Sequence, residues 1–377
     1  SVVREDLFSL DIGRLEDQID LFNLEGDRSV QKTSLAMRDG LFYISNGNSG
    51  KIVRYTSYGD LLFMIYNEET NPPPLSLKPL GEHDGVVTRW ALTYPLHSPG
   101  AIAVDSRKHI YAEDRFPYER HGFDTETKAL LDSVILHFDA DGRFVEYLGQ
   151  EGVGGTPFPR ISGIFTGIRD ELAVICRLPQ GWSIYWFDGE GVPLYQIPLP
   201  DKTLPIPRDR SGVFPSVDAI IAAPDTRRLF IKVDYYRATY DESTNTRSGN
   251  EGDGSVIWIM NVEDGSYAGA IEVPFFEYAV TVNNRHTTEN LLYSMLGVIR
   301  DNRVFLSFPV EGGYSILILA ADSREQRRGF IRVDDEELMF NTFYLSEDGI
   351  LSGLLATNWE AKLVWWRTDR LAGELAP

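Results

Sequence analysis

A unit of four short β-rich runs separated by turn residues recurs along the chain and restricts its fold more than any other feature. The clearest copy spans residues 98–149, and its third and fourth runs are Val-Ile-Leu-His-Phe-Asp and Arg-Phe-Val-Glu-Tyr-Leu-Gly. Runs rich in β-branched and aromatic residues between clusters of turn residues are typical of strands. The Asp141-Gly142 pair between these two runs predicts a hairpin, because glycine readily adopts the positive φ that tight turns need. Each copy therefore predicts a small antiparallel four-stranded sheet.

The pattern predicts six such sheets, of which the last lacks a strand. The copies span residues 34–66, 98–149, 161–197, 216–273, 291–333 and 341–371. Two β-like runs near the start, Leu7–Ile12 and Gln18–Leu24, belong to no copy. We expect one of them to supply the missing outer strand, because a radial arrangement of sheets must protect every edge strand. The alternative is an independent hairpin at the start of the chain.

The chain thus has six four-stranded units, and the last one needs the start of the chain to complete it. This arrangement predicts an all-β β-propeller. We expect a single domain over residues 1–377, with residues 1–33 as the closing segment. Seven blades are the alternative if residues 67–97 contain further strands. The copies exceed the roughly 40–45 residues of a WD40 blade, and they lack its Gly-His and Trp-Asp pairs. The best candidate for a helix is the short segment Asp124–Leu131.

Composition excludes several classes of partner. The chain has 36 basic and 56 acidic residues, for a formal net charge of −20. This charge disfavours nucleic acid, which requires a basic footprint, and polybasic attachment to anionic lipid. The single cysteine, Cys176, excludes an intrachain disulfide, and its apolar strand context predicts a buried hydrophobe. No apolar run reaches the roughly 18 residues that a membrane-spanning helix needs.

Loop lengths predict which face of the propeller binds a ligand. In each blade the strands run outward as a, b, c and d, so the b–c connections and the links to the next blade share one face. The a–b and c–d turns on the other face are tight. Nearly all the long segments fall on the first face, and they span residues 67–99, 113–132, 200–215, 234–255 and 275–290. Long loops are usually functional, so we place binding on this face.

These segments carry arginines, carboxylates and aromatic residues, several of which are enriched at interface hot spots. The candidate ligand- or partner-binding residues are Arg89, Trp90, Glu113, Asp114, Arg115, Tyr118, Arg120, Arg160, Asp234, Tyr235 and Arg237. The alternative is that the aromatic residues pack the loops onto the rim, while the charged pairs only hold the loops in place.

Motifs for catalysis are lacking. The sequence has no His-x-x-x-His or Glu-x-x-His spacing, no Gly-x-Ser-x-Gly elbow and no phosphate loop. His109 and His137 lie within strand-like runs, which favours structural roles. Asp139-Ala-Asp141-Gly142 is a hairpin turn rather than a calcium loop, because Gln150 stands where the calcium-binding glutamate would be. We predict a non-enzymatic protein- or peptide-binding propeller that needs no cofactor and has no assigned catalytic or metal-binding residue.

Two other functions remain open from the sequence. Glu113, Asp114 and Asp234 each end a predicted b strand near the pore mouth, where carboxylates would hold a metal in a hydrolase or lactonase-like propeller. A carbohydrate-binding module would rest on the exposed aromatic residues alone.

The second unit resembles an NHL repeat. Its pattern reads Pro-Gly-Ala-Ile-Ala-Val-Asp, then His-Ile-Tyr-Ala-Glu-Asp, then Leu-His-Phe-Asp-Ala-Asp-Gly-Arg-Phe. Together with residues 150–159 and the opening Asp-Gln-Ile-Asp-Leu-Phe-Asn-Leu, it is similar to the NHL-type propeller lipoproteins of bacteria such as spirochaetes. That resemblance implies export, an acylated cysteine just before Ser1, and a periplasmic or membrane-anchored extracytoplasmic location. Membrane contact would then occur only through a lipid anchor outside this chain.

Overall fold

The computed structural model describes residues 1–22, 32–80 and 88–373. Within these ranges the protein is almost entirely β-structure, with one short helix, α1 (Thr368–Ala372). Single 3₁₀ turns occupy Tyr118–Arg120, Ile168–Asp170, Asp201–Thr203 and Asp335–Glu337. No helix in the described ranges is long and apolar enough to cross a membrane.

The strands form six sheets of at least four strands each, called blades 1 to 6. Before blade 1 lie β1 (Arg4–Ile12) and β2 (Gln18–Ile19). Blade 1 contains β3 (Thr33–Arg38), β4 (Leu41–Asn46), β5 (Lys51–Thr56), β6 (Leu61–Tyr66), β7 (Lys78–Pro79) and β8 (Trp90–Thr93). Blade 2 and its inserted hairpin contain β9 (Pro99–Val104), β10 (Ile110–Arg115), β11 (Gly122–Asp124), β12 (Ala129–Leu131), β13 (Ser133–Phe138), β14 (Phe144–Gly149) and β15 (Gly152–Val153). Strands β11 and β12 form a separate two-stranded hairpin.

The remaining blades follow the same a, b, c, d order. Blade 3 contains β16 (Ile161–Thr166), β17 (Leu172–Leu178), β18 (Gly181–Phe187) and β19 (Pro193–Pro200). Blade 4 contains β20 (Phe214–Ala222), β21 (Arg228–Tyr240), β22 (Arg247–Asn261) and β23 (Tyr267–Val273), and a separate hairpin of β24 (Phe276–Val282) and β25 (Arg285–Leu291) follows it. Blade 5 contains β26 (Ser294–Ile299), β27 (Arg303–Val310), β28 (Gly313–Ala320) and β29 (Gln326–Arg332). Blade 6 contains β30 (Phe340–Leu345), β31 (Leu351–Ala356), β32 (Glu360–Trp366) and β1.

The innermost strands of the six blades form a closed ring. Strands β3, β9, β16, β20, β26 and β30 each pack against the next, and β30 packs against β3. They surround a central channel of about 180 Å³. Every blade contributes to its lining, through Arg38, Ala103, Phe165, Ala222, Val298 and Tyr344 among others. The prediction of an all-β β-propeller is confirmed.

The first strand of the chain closes the ring. Strand β1 pairs antiparallel with β32 from Arg4 opposite Trp366 to Asp11 opposite Glu360. The run Leu7–Ile12 therefore supplies the missing outer strand, as predicted for one of the two runs. In the other run, β2 extends the sheet parallel to β1, whereas residues 23 and 24 lie outside the described part of the chain.

The hydrophobic core lies between neighbouring blades. Strand β18 is buried along its whole length, because blade 3 is covered on both faces. One cluster joins Ile175 and Trp186 of blade 3 to Leu229 and Ile231 of blade 4. This arrangement explains why the middle strands are continuous apolar runs rather than alternating ones.

Several sequence predictions for the connections are wrong. Asp124–Leu131 is not a helix but the β11–β12 hairpin, whose turn begins where Asp124 Oδ1 accepts the Glu126 N–H at 2.9 Å. Such a local hydrogen bond competes with helix formation. Within residues 67–97, β8 lies parallel on β6 and widens blade 1, so this segment builds no separate sheet in its described part. Residues 234–255 and 275–290 are mostly strand rather than loop.

Candidate functional site

Antiparallel pairing within the blades places their longer connections on one face. We define the long-loop face by the connections 116–132, 150–160, 201–213, 241–246 and 274–293. The opposite short-turn face carries the a–b and c–d turns, such as residues 39–40 and 57–60. The predicted difference between the two faces is thus present in the described residues.

A cavity of about 630 Å³ opens on the long-loop face between blades 2 and 3. Its walls come from the ends of β10 and β17, the start of β16, the β11–β12 hairpin and the residue before β3. We call it the basic cavity, because its charged lining residues are Lys32, Glu113, Arg115, Lys128, Asp132, Arg160 and Arg177. Three of these, Glu113, Arg115 and Arg160, were predicted from the sequence as binding residues.

An ion pair between a half-buried lysine and a buried carboxylate forms part of the cavity lining. Glu113 is only 2% exposed, and its carboxylate oxygens lie 2.9 and 3.0 Å from Lys32 Nζ. The Ala101 N–H donates to Glu113 Oε2 at 2.9 Å, and Lys32 Nζ also donates to the Ile161 carbonyl oxygen at 3.3 Å. A Cβ on Gly100 would lie 2.5 Å from Glu113 Oε2, so glycine is required for this close approach. Glu113 is therefore a structural anchor between blades as well as a cavity residue.

The other basic side chains of the cavity differ in how they are neutralised. Arg177 donates to the Asp201 carboxylate at 3.1 and 3.3 Å, and its guanidinium carbon lies 4.9 Å from the centre of the Trp182 ring. Arg115, Lys128 and Arg160 form no ion pair with any residue in the described ranges. The cavity therefore carries local positive charge on a protein whose net charge is −20.

Asp114 holds the chain that leads into blade 2. It is 5% exposed and accepts the backbone N–H groups of His97 and Ser98 at 3.1 and 2.7 Å. Burial raises its pKa to about 6, although the backbone donors favour the ionised form, and the Glu113 carboxylate adds a smaller upward effect. These contacts indicate a structural role for Asp114.

Replacing Asp114 by asparagine should change how stability depends on pH. The raised pKa means that the folded protein binds more protons than the unfolded chain between about pH 4 and pH 6. The contribution of Asp114 to the free energy of unfolding is therefore greatest below about pH 4 and falls by about 3 kcal/mol as the pH rises through 6. Asp114→Asn should lack this fall. Urea unfolding at about pH 4 and about pH 7 measures the change in the free energy of unfolding with pH. The same change in the wild type and in Asp114→Asn would contradict the prediction.

Asp234 belongs to a second buried charge cluster, in blade 4. Lys232 is fully buried, and its Nζ lies 2.5 Å from Asp234 Oδ1 and 3.3 Å from Asp218 Oδ2. Ser255 Oγ donates to Asp234 Oδ1 at 2.7 Å, and the Met295 N–H of blade 5 donates to Asp218 Oδ2 at 2.8 Å. Burial raises the pKa of Asp234, while the Lys232 ammonium opposes this shift.

The predicted carboxylates do not form a common site. Glu113 is held by Lys32, whereas Asp234 is held by Lys232 in blade 4. Among the described residues, no group of three or more His, Cys, Asp or Glu side chains is arranged to hold a metal ion.

Two of the predicted residues lie away from the long-loop face. Arg89 Nε donates to the Leu61 carbonyl oxygen at 2.8 Å, immediately after the c–d turn of blade 1. Trp90 Nε1 donates to the Asp141 carbonyl oxygen at 2.7 Å, in the c–d turn of blade 2. The placement of these residues on the long-loop face is wrong, because β8 runs parallel to β6 and begins at the short-turn side.

Tyr235 is also misplaced as a surface binding residue. It is fully buried, its hydroxyl donates to the Pro205 carbonyl oxygen at 2.5 Å, and it accepts Trp258 Nε1 at 2.9 Å. Arg237 is exposed and donates to the Ser211 carbonyl oxygen at 3.0 Å. Neither side chain lines the basic cavity.

The remaining predicted residues lie on the 3₁₀ turn before β11. Tyr118 is 83% exposed, and the Arg120 guanidinium carbon lies 3.7 Å from the centre of the Phe116 ring. Arg120 thus stacks on an aromatic residue of its own loop.

Three basic residues of the cavity were missed. Lys32, Lys128 and Arg177 line it but were not among the sequence candidates. Arg177 stands near the end of a b strand, as Arg115 does one blade earlier. The position of an arginine near the end of a predicted b strand is therefore a sequence signal that points to Arg177 as well as to Arg115. Lys32 and Lys128 carry no comparable signal.

Comparisons with known proteins find only distant structural likenesses. No protein-family model matches the sequence, and no curated protein sequence matches it. The WD40 domain of Toxoplasma gondii coronin is 7% identical, with a TM-score of 0.44 over 97% of this chain and 86% of that one. The β-propeller domain of Myceliophteria thermophila Cps50 (Swd1) is 9% identical, with a TM-score of 0.36 over 90% of this chain and 97% of that one.

A peptidase also appears among the similar structures. Pyrococcus horikoshii acylaminoacyl peptidase is 12% identical with a TM-score of 0.32, and the match covers 68% of this chain and 35% of that one. These likenesses are too distant to transfer an activity. By its own closed ring of sheets, the chain is a β-propeller.

Proposed function

We propose that this β-propeller binds a protein or peptide partner through its long-loop face and carries out no chemistry on it. The observation that supports this is the concentration of exposed apolar side chains. Twelve of the twenty large apolar residues that are exposed within the described ranges lie on this side of the blades. Nine lie in or beside the connections that define the face, namely Tyr118, Phe123, Leu130, Val153, Ile206, Phe214, Tyr240, Tyr278 and Val282, and the other three, Leu338, Met339 and Trp359, lie in the link from blade 5 to blade 6 and in the b–c turn of blade 6. Apolar groups rimmed by charge are typical of interaction surfaces.

Two projecting ribbons extend this surface. The outer halves of β21 and β22 continue beyond blade 4, where Tyr236 to Tyr240 pair with Gly252 to Arg247. Strands β24 and β25 pair only with each other, so each has an edge with no neighbouring strand in the described structure. Free edges of this kind offer backbone donors and acceptors to an incoming segment. An isolated two-stranded ribbon is only marginally stable in water, which favours a role in contact with a partner.

The buried carboxylates favour binding over metal-dependent hydrolysis. Glu113, Asp114 and Asp234 are all buried and already accept hydrogen bonds from lysine, hydroxyl or backbone N–H donors. A metal would have to displace these donors from oxygens that hold the blades together.

We also propose an extracytoplasmic location with a lipid anchor outside this chain. The support is the resemblance of residues 98–149 to an NHL repeat of the type found in bacterial propeller lipoproteins. Fractionation of the source cells tests it, and recovery of the protein only with the cytoplasm would reject it.

Site-specific photo-crosslinking tests the proposed binding face. A photoreactive phenylalanine analogue at Tyr118, which is 83% exposed on the long-loop face, should capture a defined partner in the source cells. The same analogue at Tyr58, which is 88% exposed in the β5–β6 turn of the short-turn face, is the matched control. Equal yields at the two positions, or capture only at Tyr58, would contradict the proposal.

A further inference from the structure

We infer that the basic cavity is a binding site for an oxyanionic ligand that carries two or more negative charges on carboxylate or phosphate groups. This goes beyond the proposed function, because it assigns a defined site and holds whether or not a partner covers the face. The ligand is either a free small molecule or acidic side chains of a partner. Both present the same chemistry to the cavity.

The charge of the lining carries the argument. The cavity has five basic lining residues and two acidic ones. Glu113 neutralises Lys32, and Arg177 is paired with Asp201 outside the cavity. Arg115, Lys128 and Arg160 remain without an ion-pair partner in the described part of the chain. Elsewhere in the described chain about half of the arginines have a carboxylate within 4.0 Å, including Arg107, Arg227 and Arg367. Even with the Asp132 carboxylate of the lining counted, the three unpaired cations leave this one cavity with an excess of positive charge.

The unpaired cations are carried by well-supported backbone. Arg160 lies two residues after Phe158, whose ring is fully buried. The Phe158 backbone N–H donates to the Ser133 carbonyl oxygen at 2.6 Å. The Arg177 N–H donates to the Arg160 carbonyl oxygen at 2.8 Å, which fixes the start of blade 3. Arg115 ends β10, which is paired on both sides. Side chains held by regular structure suit a preformed site.

The β11–β12 hairpin supplies the third cation of the lining, Lys128. Ala129 and Leu131 anchor β12 because both are buried. Lys128 precedes them in the turn between β11 and β12. Its φ of 61° is a left-handed conformation, which is typical of tight turns. Guanidinium groups bind carboxylate and phosphate oxygens in pairs, whereas an ammonium acts as a compact charge. Two arginines and one lysine around about 630 Å³ suit a polyanion better than a single carboxylate.

Isothermal titration with three probes tests the inference. The probes are citrate, pyrophosphate and a hexaglutamate peptide, each titrated into the full chain. At least one should bind, and the affinity should fall by about tenfold or more for Arg115→Gln and for Arg160→Gln, because each change removes a charge-assisted contact. Arg324→Gln is the matched control, since Arg324 is an exposed arginine in the c–d turn of blade 5 on the other face. It should leave the affinity unchanged.

The outcome of the titrations distinguishes the two sources of the ligand or rejects the inference. Binding of citrate or pyrophosphate identifies a small-molecule site, and binding of the peptide alone identifies acidic side chains of a partner. If no probe binds at millimolar concentration, or if the arginine variants bind as the wild type does, the inference is wrong. Lys128→Gln, at an exposed turn residue, gives the same test should an arginine variant fold poorly. Crosslinking at Tyr118 is independent of these titrations, so the two proposals can fail separately.

Discussion

Removal of residues 1–13 should abolish the cooperative fold of the protein. The deletion removes β1, which pairs with β32 and buries Leu10 against blades 6 and 1. It also removes Arg4, whose guanidinium donates to both Glu337 carboxylate oxygens at 2.7 and 2.6 Å. The exposed edge of β32 would then be free to pair with another chain. We expect the loss to exceed about 5 kcal/mol, comparable to the whole stability of an ordinary domain.

A matched deletion distinguishes ring closure from mere shortening of the chain. Residues 277–290 form most of the β24–β25 hairpin, and Phe276 and Leu291 lie opposite each other, so two glycines can join them. This variant should keep a single cooperative unfolding transition and remain monodisperse on gel filtration. The 1–13 deletion should aggregate or lose the transition. If both variants unfold like the wild type, the ring does not depend on β1.

Lys232→Met should cost about 3–5 kcal/mol of unfolding free energy. Lys232 is fully buried, and its ammonium is the charge that neutralises Asp234 and Asp218 in blade 4. Methionine fills a similar volume but leaves the two carboxylates uncompensated. Because Asp218 also accepts the Met295 N–H of blade 5, the change should loosen the contact between these blades as well. Urea unfolding measures the difference.

The controls for this prediction use the same chemical change at an exposed site and a compensating change at the buried one. Lys202 is exposed in the 3₁₀ turn after β19, and Lys202→Met should change stability by less than about 0.5 kcal/mol. Asp234→Asn combined with Lys232→Met should recover part of the loss, because it removes one of the unpaired charges. A loss below about 1 kcal/mol for Lys232→Met alone would show that water already solvates the cluster.

The architecture was predictable because its signals are local and repeated. Turn residues such as Asp141-Gly142 mark the hairpins, and the incomplete sixth unit indicates that the start of the chain must return to it. Which of the two early runs returns was not predictable. Nothing in their composition separates Leu7–Ile12 from Gln18–Leu24, and only the register against β32 decides.

The errors arose where tertiary pairing overrides local preference. Asp124–Leu131 contains good helix formers, yet an aspartate-capped turn and the burial of Leu131 make it a hairpin. The sequence pattern predicts a loop at Trp90, but its ring stacks on that of Phe63, with the centres 6.0 Å apart, at the outer edge of blade 1. Tyr235 belongs to a strand whose inner part is buried on both faces. Sequence spacing alone does not reveal such long-range partners.

The candidate site was predicted in part because arginines at the ends of b strands point to one face. The cavity itself required the positions of three separate elements, since Lys32, Lys128 and Arg160 are far apart in sequence. The lack of a carboxylate partner at Arg115, Lys128 and Arg160 within the described ranges is a property of the folded chain and has no counterpart in composition.

Closure by β1 also has a consequence for synthesis in the cell. Strand β1 is synthesised before the six blades and finds its partner only after residues 360–366 have emerged. At about 5–20 residues per second, the wait is on the order of tens of seconds. During that time β1 must stay unpaired without pairing to a strand of another chain. Its acidic residues Glu5, Asp6 and Asp11 favour solvation of the unpaired strand and disfavour such pairing.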